Sequence, residues 1–166
     1  NPSLAVLDGV KRFFARGVSP AEIDFFSHGT TVTTNALLEM KGAKIGLLIT
    51  DGFRAVQEVQ TQARETNQFD LKFSRPAALA PQRLTREIIG RMDYQGIEVT
   101  PLSNYDVREA VRSLAAEGIN SFAVCYVFSF TNPDHERRTA ALIRDEIPGA
   151  FVSLSSDVLP RIREWP

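Results

Sequence analysis

The sequence has little of what disulfide-bonded, metal-binding and membrane proteins require. It contains one cysteine, Cys125, and two histidines, so we expect neither an internal disulfide nor a metal site built on histidine. No apolar run approaches the roughly 18 residues that a membrane-spanning helix needs. These absences predict a cytoplasmic protein without a membrane partner.

An excess of charge of one sign is also missing. The chain has 20 acidic and 19 basic residues and a formal net charge of −1, so we expect no nucleic-acid partner. It has no Walker phosphate loop, no Gly-x-Gly-x-x-Gly turn and no Gly-x-Ser-x-Gly turn. What remains is an ordinary globular composition, with 43% hydrophobic residues.

The termini and the length bear on domain organisation. The chain begins at Asn1-Pro2 without an initiator methionine and stops at Trp165-Pro166, so we expect a piece of a longer protein. A length of 166 residues is typical of one domain. The sequence therefore predicts a single α/β domain over residues 1–166.

Apolar runs alternate with helical patterns along the chain. Strands are predicted at 23–27, Ile45–Thr50, 122–128 and Phe151–Leu154, and an antiparallel hairpin at 88–92 with 97–99. Helices are predicted at 3–16, 32–41, 103–117 and after Asn132-Pro133, with a short turn capped by Ser19 and a short helix at about 53–59. This alternation indicates a mixed, mostly parallel sheet flanked by helices. Residues 60–85 are polar and lack a clean period, which predicts a long surface excursion with a functional use.

The turn after the first predicted strand is a candidate anion site. A strand that ends at Gly29 and opens a helix directs backbone N–H groups at one point. Thr30 and Thr31 add hydroxyl donors, Asn35 follows one turn later, and His28 could transfer a proton near neutral pH. The alternative is structural: a threonine caps the helix and His28 is merely hydrogen-bonded.

Further polar residues follow the other predicted strands, where ligands gather in open α/β sheets. Asp51 could bind a metal or a substrate hydroxyl, and Arg54 a carboxylate or phosphate. Ser129 and Asn132 could face a cleft. Each has a structural alternative, because Asp51 and Arg54 fit a turn and a solvated helix start, and Asn132-Pro133 fits a helix cap.

Together these stretches resemble the N-terminal region of hydantoinase A and 5-oxoprolinase. The resemblance is carried by HGTTVTTNALLEMKGAK at 28–44, TDGFR at 50–54, AVCY at 123–126, SFTNPDHE at 129–136 and VSLSSDVLPRIRE at 152–164. It covers nearly the whole chain. Related subunits occur in acetone and acetophenone carboxylases, and the sequence does not separate these branches.

The resemblance implies part of an actin-like, ribonuclease-H-like ATPase. It also implies that ATP with Mg²⁺ phosphorylates a cyclic amide, or a ketone enol, so that hydrolysis or carboxylation follows. A second subunit or domain of the hydantoinase B type is the implied partner. The family's Asp-x-Gly-Gly-Thr loop is not in this sequence, so we expect no tight nucleotide binding by this chain alone. A scaffold that contacts its partner through residues 60–85 is the alternative from another functional class.

Overall fold

A computed structural model describes residues 2–39, 41–56, 78 and 80–162, without the side chains of residues 2, 3 and 37. The structure separates two compact units, Asn1–Lys41 and Gly42–Pro166, which we call the first and second units. The single domain over residues 1–166 stays a prediction. Of the predicted short helix at about 53–59, the structure describes residues 53–56, with turns at 54–55 and a helical residue at 56, and the rest lies outside the described residues. Most of the predicted excursion at 60–85 also lies outside them.

The first unit consists of helices and turns. Helix α1 (Pro2–Ala15) ends before Gly17, whose φ of +94° places it in the left-handed region that glycine tolerates. Ser19 then caps a 3-10 turn at Pro20–Glu22 through the reciprocal hydrogen bonds of a capping box, and helix α2 (Val32–Leu38) follows. Both predicted helices and the predicted capping box are confirmed, but the second helix ends at Leu38 and not at residue 41.

The predicted strand at 23–27 is wrong. Residues 23–31 contain no strand, and Phe25 and Phe26 are 84% and 60% exposed. A strand needs a neighbouring strand to take its backbone hydrogen bonds, and the described residues of the first unit form helices and turns only. An apolar run alone therefore does not make a strand here.

The second unit is built on a parallel sheet, as predicted. Its strands are β1 (Ile45–Thr50), β2 (Thr85–Ile88), β5 (Ser121–Cys125) and β6 (Phe151–Leu154). In space their order is β2-β1-β5-β6, and every neighbouring pair is parallel. The carboxyl ends of all four strands therefore lie at one edge, which we call the carboxyl edge.

Two helices cover one face of this sheet. Helix α3 (Asn104–Ala116) begins after Ser103, whose Oγ accepts the N–H of Asp106 at 3.2 Å. Helix α4 (Asp134–Glu146) follows β5. One buried cluster joins these helices to the sheet: Leu48, Val107, Val111, Leu114, Phe122, Val124, Ala140 and Ile143 are among its members. The predicted apolar stripe of α3 and the α/β fold class are confirmed.

The predicted hairpin is right in type and wrong at its start. Strand β3 (Arg91–Met92) pairs antiparallel with β4 (Glu98–Thr100), whereas residues 85–88 belong to the parallel sheet. The sequence merged two strands because only Ile89-Gly90 separates them. The predicted excursion at 60–85 also extends too far along the chain. A 3-10 turn at Gln82–Leu84, in which Leu84 is buried, already leads into β2.

The predicted strand at 122–128 is too long. Strand β5 ends at Cys125, and turns occupy residues 127–131. Phe128 has a φ of +64°, which no extended strand allows. The last elements are β6, as predicted, and the short helix α5 (Ser155–Val158). Among the described residues, no helix is long and apolar enough to cross a membrane.

Candidate functional site

The carboxyl edge of the sheet is a connected structure. The Oγ1 atom of Thr50, at the end of β1, accepts the N–H of Val127 at 3.0 Å and so joins β1 to the segment after β5. The N–H of Asp51 donates to the carbonyl of Ile88 at 3.0 Å and joins β1 to β2. Ligands of open α/β sheets bind at this edge. It is therefore the candidate site of the second unit.

A buried carboxylate, Glu136, organises one end of this edge. The residue is 0% exposed. Its oxygens accept hydrogen bonds from the N–H of Tyr126 at 3.0 Å, from the Ser155 hydroxyl at 2.6 Å, and from the N–H and hydroxyl of Ser156 at 3.0 and 2.6 Å. Four donors satisfy the buried charge, so Glu136 fixes α4 to the ends of β5 and β6.

Sequence reasoning missed this role of Glu136. The sequence held one signal for it, the pair Ser155-Ser156 directly after a predicted strand. Their two hydroxyls and the first N–H groups of a helix that begins there need an acceptor, which a carboxylate supplies.

Ser129 and Asn132, both predicted to bind substrate or phosphate, are engaged within the protein. Ser129 is 3% exposed, and its Oγ lies 2.9 Å from the Oγ of Ser155. Asn132 accepts the N–H of Asp134 at 3.0 Å and donates from Nδ2 to the carbonyl of Gly96 at 2.8 Å. Asn132 thus accepts the first N–H of α4 and also ties the hairpin to the segment after β5. Ligand-binding roles for both residues stay predictions.

Asp51 and Arg54 lie just beyond β1. Asp51 is exposed. The guanidinium of Arg54 donates from Nη2 to the carbonyl of Gln82 at 3.0 Å. Glu87, which the sequence did not single out, accepts the N–H groups of Gly52 and Arg54 at 3.0 and 3.2 Å. Glu87 therefore holds the turn that presents Asp51, and the predicted roles of Asp51 and Arg54 are not tested by this geometry.

The remaining candidates belong to the first unit and are exposed: His28, Gly29, Thr30, Thr31 and Asn35. The Oγ1 atom of Thr30 accepts the N–H of Val32 at 3.2 Å, and Asn35 donates to the Oγ1 of Thr31 at 3.4 Å. Thr30 therefore accepts the first N–H of α2, a local hydrogen bond of the kind that the structural alternative involves. Because no strand precedes this turn, the strand-end argument for an anion site no longer supports it. Its phosphate-binding and proton-transfer roles stay predictions.

Comparison with known proteins places the chain in a family. Residues 1–147 match the hydantoinase/oxoprolinase N-terminal region. This chain belongs to the hydantoinase/oxoprolinase family. The resemblance carried by residues 28–44 and the later segments is confirmed.

Individual relatives match over most of this chain. It is 35% identical to caprolactamase subunit alpha from Pseudomonas jessenii over 98% of this chain and 24% of that protein. The crystal structure of the ATP-dependent caprolactamase from that organism matches with a TM-score of 0.83, over 97% of this chain and 24% of that one. The acetophenone carboxylase gamma subunit from Aromatoleum aromaticum is 32% identical over 86% of this chain and 21% of that protein. The chain thus spans about a quarter or less of the length of these relatives.

Proposed function

We propose that the intact protein is an ATP-dependent enzyme that opens a cyclic amide of the hydantoin or 5-oxoproline type through a phosphorylated intermediate. In this proposal the present chain forms part of the wall of the active cleft. The observation that carries it is the likeness to an ATP-dependent caprolactamase along nearly the whole chain. A lactam is a cyclic amide, and the family takes its description from two cyclic-amide enzymes.

The chemistry explains why such a cleft needs donors. ATP supplies a phosphoryl group that activates an otherwise unreactive amide. Negative charge then develops on the transferring oxygens, and preorganised N–H groups and cations stabilise it. We assign this task to the amides of Gly29, Thr30 and Thr31, with His28 moving a proton.

Mg²⁺ and ATP are proposed for the intact enzyme, and the described residues fit them only in part. Mg²⁺ is usually held by one or two carboxylates together with phosphate oxygens and water. In the part of the chain that the structure describes, no three His, Cys, Asp or Glu side chains group as metal ligands. Glu136 and Glu87 already accept hydrogen bonds from the protein, which leaves Asp51 as the exposed carboxylate next to β1.

We therefore expect the 166-residue chain alone to hydrolyse no ATP. Phosphate release by the purified chain is the measurement. Turnover that disappears on substitution of a residue within the chain would contradict this part of the proposal.

A partner subunit is the second component of the proposal. The two relatives are named as subunits, alpha and gamma. We propose that the partner is of the hydantoinase B type and that the complex works in the cytoplasm. Co-purification of the intact protein with that subunit is the check, and a monomer active without it would contradict this component.

The main experiment uses the intact protein with its partner subunit and ATP. Hydantoin, 5-oxoproline and caprolactam are offered separately, while ring-opened product and phosphate are measured. We expect one cyclic amide to be opened with matching phosphate release. No opening of any cyclic amide, with phosphate release stimulated by another substrate class, contradicts the proposal.

The second candidate function is an ATP-dependent carboxylase subunit. It is favoured by the 32% identity to the acetophenone carboxylase gamma subunit. Acetone or acetophenone offered with bicarbonate and ATP distinguishes it, because only a carboxylase then forms a β-keto acid. A scaffold role, the third alternative, predicts stabilisation by the partner subunit and none by phosphate analogues.

Substitutions in the intact enzyme test the turn of the first unit. His28→Asn keeps polarity and much of the size but removes proton transfer, so turnover should fall about a hundredfold. Thr30→Ala removes the hydroxyl that accepts the first N–H of α2 and should cost about 1 kcal/mol of helix stability. If His28→Asn lowers the melting temperature and leaves turnover per folded molecule unchanged, the turn is structural.

A further inference from the structure

We propose that Arg91, Phe53 and Phe128 form an oxyanion-binding site at the carboxyl edge of the second unit, which takes a carboxylate or phosphate group. The site goes beyond the proposed function, because it does not depend on whether the intact enzyme opens an amide or carboxylates a ketone. It rests on four features of the second unit.

The first feature is where the three residues come from. Phe53, Arg91 and Phe128 each lie three residues after the last residue of a strand, namely β1, β2 and β5. These strands are neighbours and parallel, in the order β2-β1-β5. The segments that follow them consequently meet at one edge, where ligands of open α/β sheets bind.

The second feature is the contact between the arginine and the two rings. The Cζ atom of Arg91 lies 5.0 Å from the ring centre of Phe53 and 5.7 Å from that of Phe128. Both distances are within the range of cation–π attraction. This contact uses the charge of the guanidinium and none of its five N–H donors.

The donors of Arg91 meet no acidic side chain in the part of the chain that the structure describes. Among the residues that the structure describes, the ion pairs of other arginines are recorded and none involves Arg91. Arg54, which the sequence predicted for this task, donates to the carbonyl of Gln82 instead. A guanidinium held by rings, with its planar donors left over, matches a carboxylate or phosphate group.

The third feature is irregular backbone on both sides of the contact. The hairpin register shifts between Arg91 and Met92. Phe128 is the non-glycine residue with a positive φ, +64°, in the described part of the chain. Such irregularities re-aim side chains and cluster at functional sites.

The fourth feature is that the surroundings fix the site. The hairpin that carries Arg91 is tied to the segment of Phe128 by the hydrogen bond from Asn132 to Gly96, and to α4 by the 2.6 Å contact between His135 and Glu98. Phe53 packs against the buried cluster of Leu47, Ile49, Ala80 and Cys125. A guanidinium that is already positioned loses less conformational entropy when it binds an anion.

The test measures anion binding by the intact protein. Dissociation constants for inorganic phosphate and for acetate are obtained by titration of its melting temperature. Arg91→Gln removes the fork of donors, and Arg144→Gln, an exposed arginine in the last turn of α4, is the matched control. The sheet's order places this control at the opposite edge, since α4 starts after β5 and ends before β6.

We expect Arg91→Gln to weaken the binding of one of the two anions by about ten- to a hundredfold. Arg144→Gln should change the affinity for neither. If only phosphate binding is weakened, the site takes a phosphate group. If only acetate binding is weakened, it takes a carboxylate. Arg91→Lys keeps the charge but not the fork and should weaken the same anion severalfold.

Two outcomes overturn the site. One is that Arg91→Gln binds both anions as tightly as the wild type does. The case in which the wild type binds neither anion counts as the same outcome. The other is an equal loss in Arg144→Gln. If Arg91→Gln does not fold, Arg91→Lys and Phe53→Leu decide the question, because unchanged affinity in both would exclude a positioned guanidinium.

Discussion

The two units use apolar side chains in opposite ways. In the first unit Phe13 and Phe25 are 61% and 84% exposed, whereas in the second Leu48 and Val124 are 0% and 1% exposed. Both units contain apolar runs that predict strands, at 23–27 and at Ile45–Thr50. The second unit has parallel neighbours for its runs, and the first has helices and turns among its described residues. The difference teaches that a partner strand, and not apolarity alone, makes a run into a buried strand.

The largest expected effect comes from placing a charge at matched valines of the two units. Val124→Asp buries an unpaired carboxylate in the second unit, which costs several kcal/mol and should unfold it. Val32→Asp, at the 48% exposed first residue of α2, should change stability by less than about 0.5 kcal/mol. Urea unfolding of both variants is the measurement. Equal destabilisation would remove the distinction between the units.

A smaller difference is expected between two glutamates that accept hydrogen bonds. Glu136→Gln replaces one carboxylate oxygen, an acceptor, by an NH₂ group, a donor. That group then faces the donors of Tyr126, Ser155 and Ser156, so we expect the free energy of unfolding to fall by about 2 kcal/mol. Glu22→Gln, in the exposed capping box of the first unit, keeps an acceptor for Ser19 and should cost almost nothing. Thermal melting of the two variants compares them, and a tolerant Glu136→Gln would show that the carboxyl edge does not depend on this side chain.

Two serine caps sharpen the comparison further. Ser103 caps α3, whose apolar face is buried, so Ser103→Ala should cost about 1 kcal/mol. Ser19 caps a three-residue 3-10 turn with no buried residue, and Ser19→Ala should cost only a few tenths of that value. Denaturant midpoints measure both, and the reverse order would mean that the turn of the first unit carries more structure than its burial indicates.

The smallest effect is a pH dependence at Glu98 of the second unit. The hydrogen bond from His135 lowers the pKa of Glu98 below its usual value of 4.5. A lowered pKa in the folded state gives stability that is present above the unfolded pKa and lost as pH falls through the folded one. Glu98→Gln should therefore be less stable than wild type near neutral pH, and the gap should close as the pH falls below about 4.5. A gap that stays constant in melting curves from pH 6 to about 3 would contradict this.

The sequence predicted the elements whose signals are local. Ser103 and the stripe of Val107, Val111 and Leu114 define α3, and residues 151–154 form β6 as expected. Failures arose where the deciding contact is distant. The segment at 85–92 divides between two sheets because β2 pairs with β1, which lies far away along the chain.

The sequence indicated where the candidate site of the second unit lies, but not which side chains organise it. Residues that follow strands were expected at the carboxyl edge, and Asp51, Ser129 and Asn132 lie there. The side chains that organise the edge depend on contacts that no local pattern encodes. Glu136 meets Ser155 across 19 residues, and Arg91 meets rings that follow two other strands. The arginines are scattered along the sequence, and nothing local distinguishes Arg91, which the fold positions against two aromatic rings.

Hydrogen exchange along the 166-residue chain tests the contrast between the units most directly. The account predicts that amides of residues 47–49 and 122–124, in neighbouring central strands, exchange slowest. Amides of residues 24–30, which lie in no helix, strand or 3-10 turn, should exchange nearly as fast as in an unfolded peptide. Protection at 23–27 equal to that of β1 would contradict the account, because it would mean that this apolar run forms a strand after all.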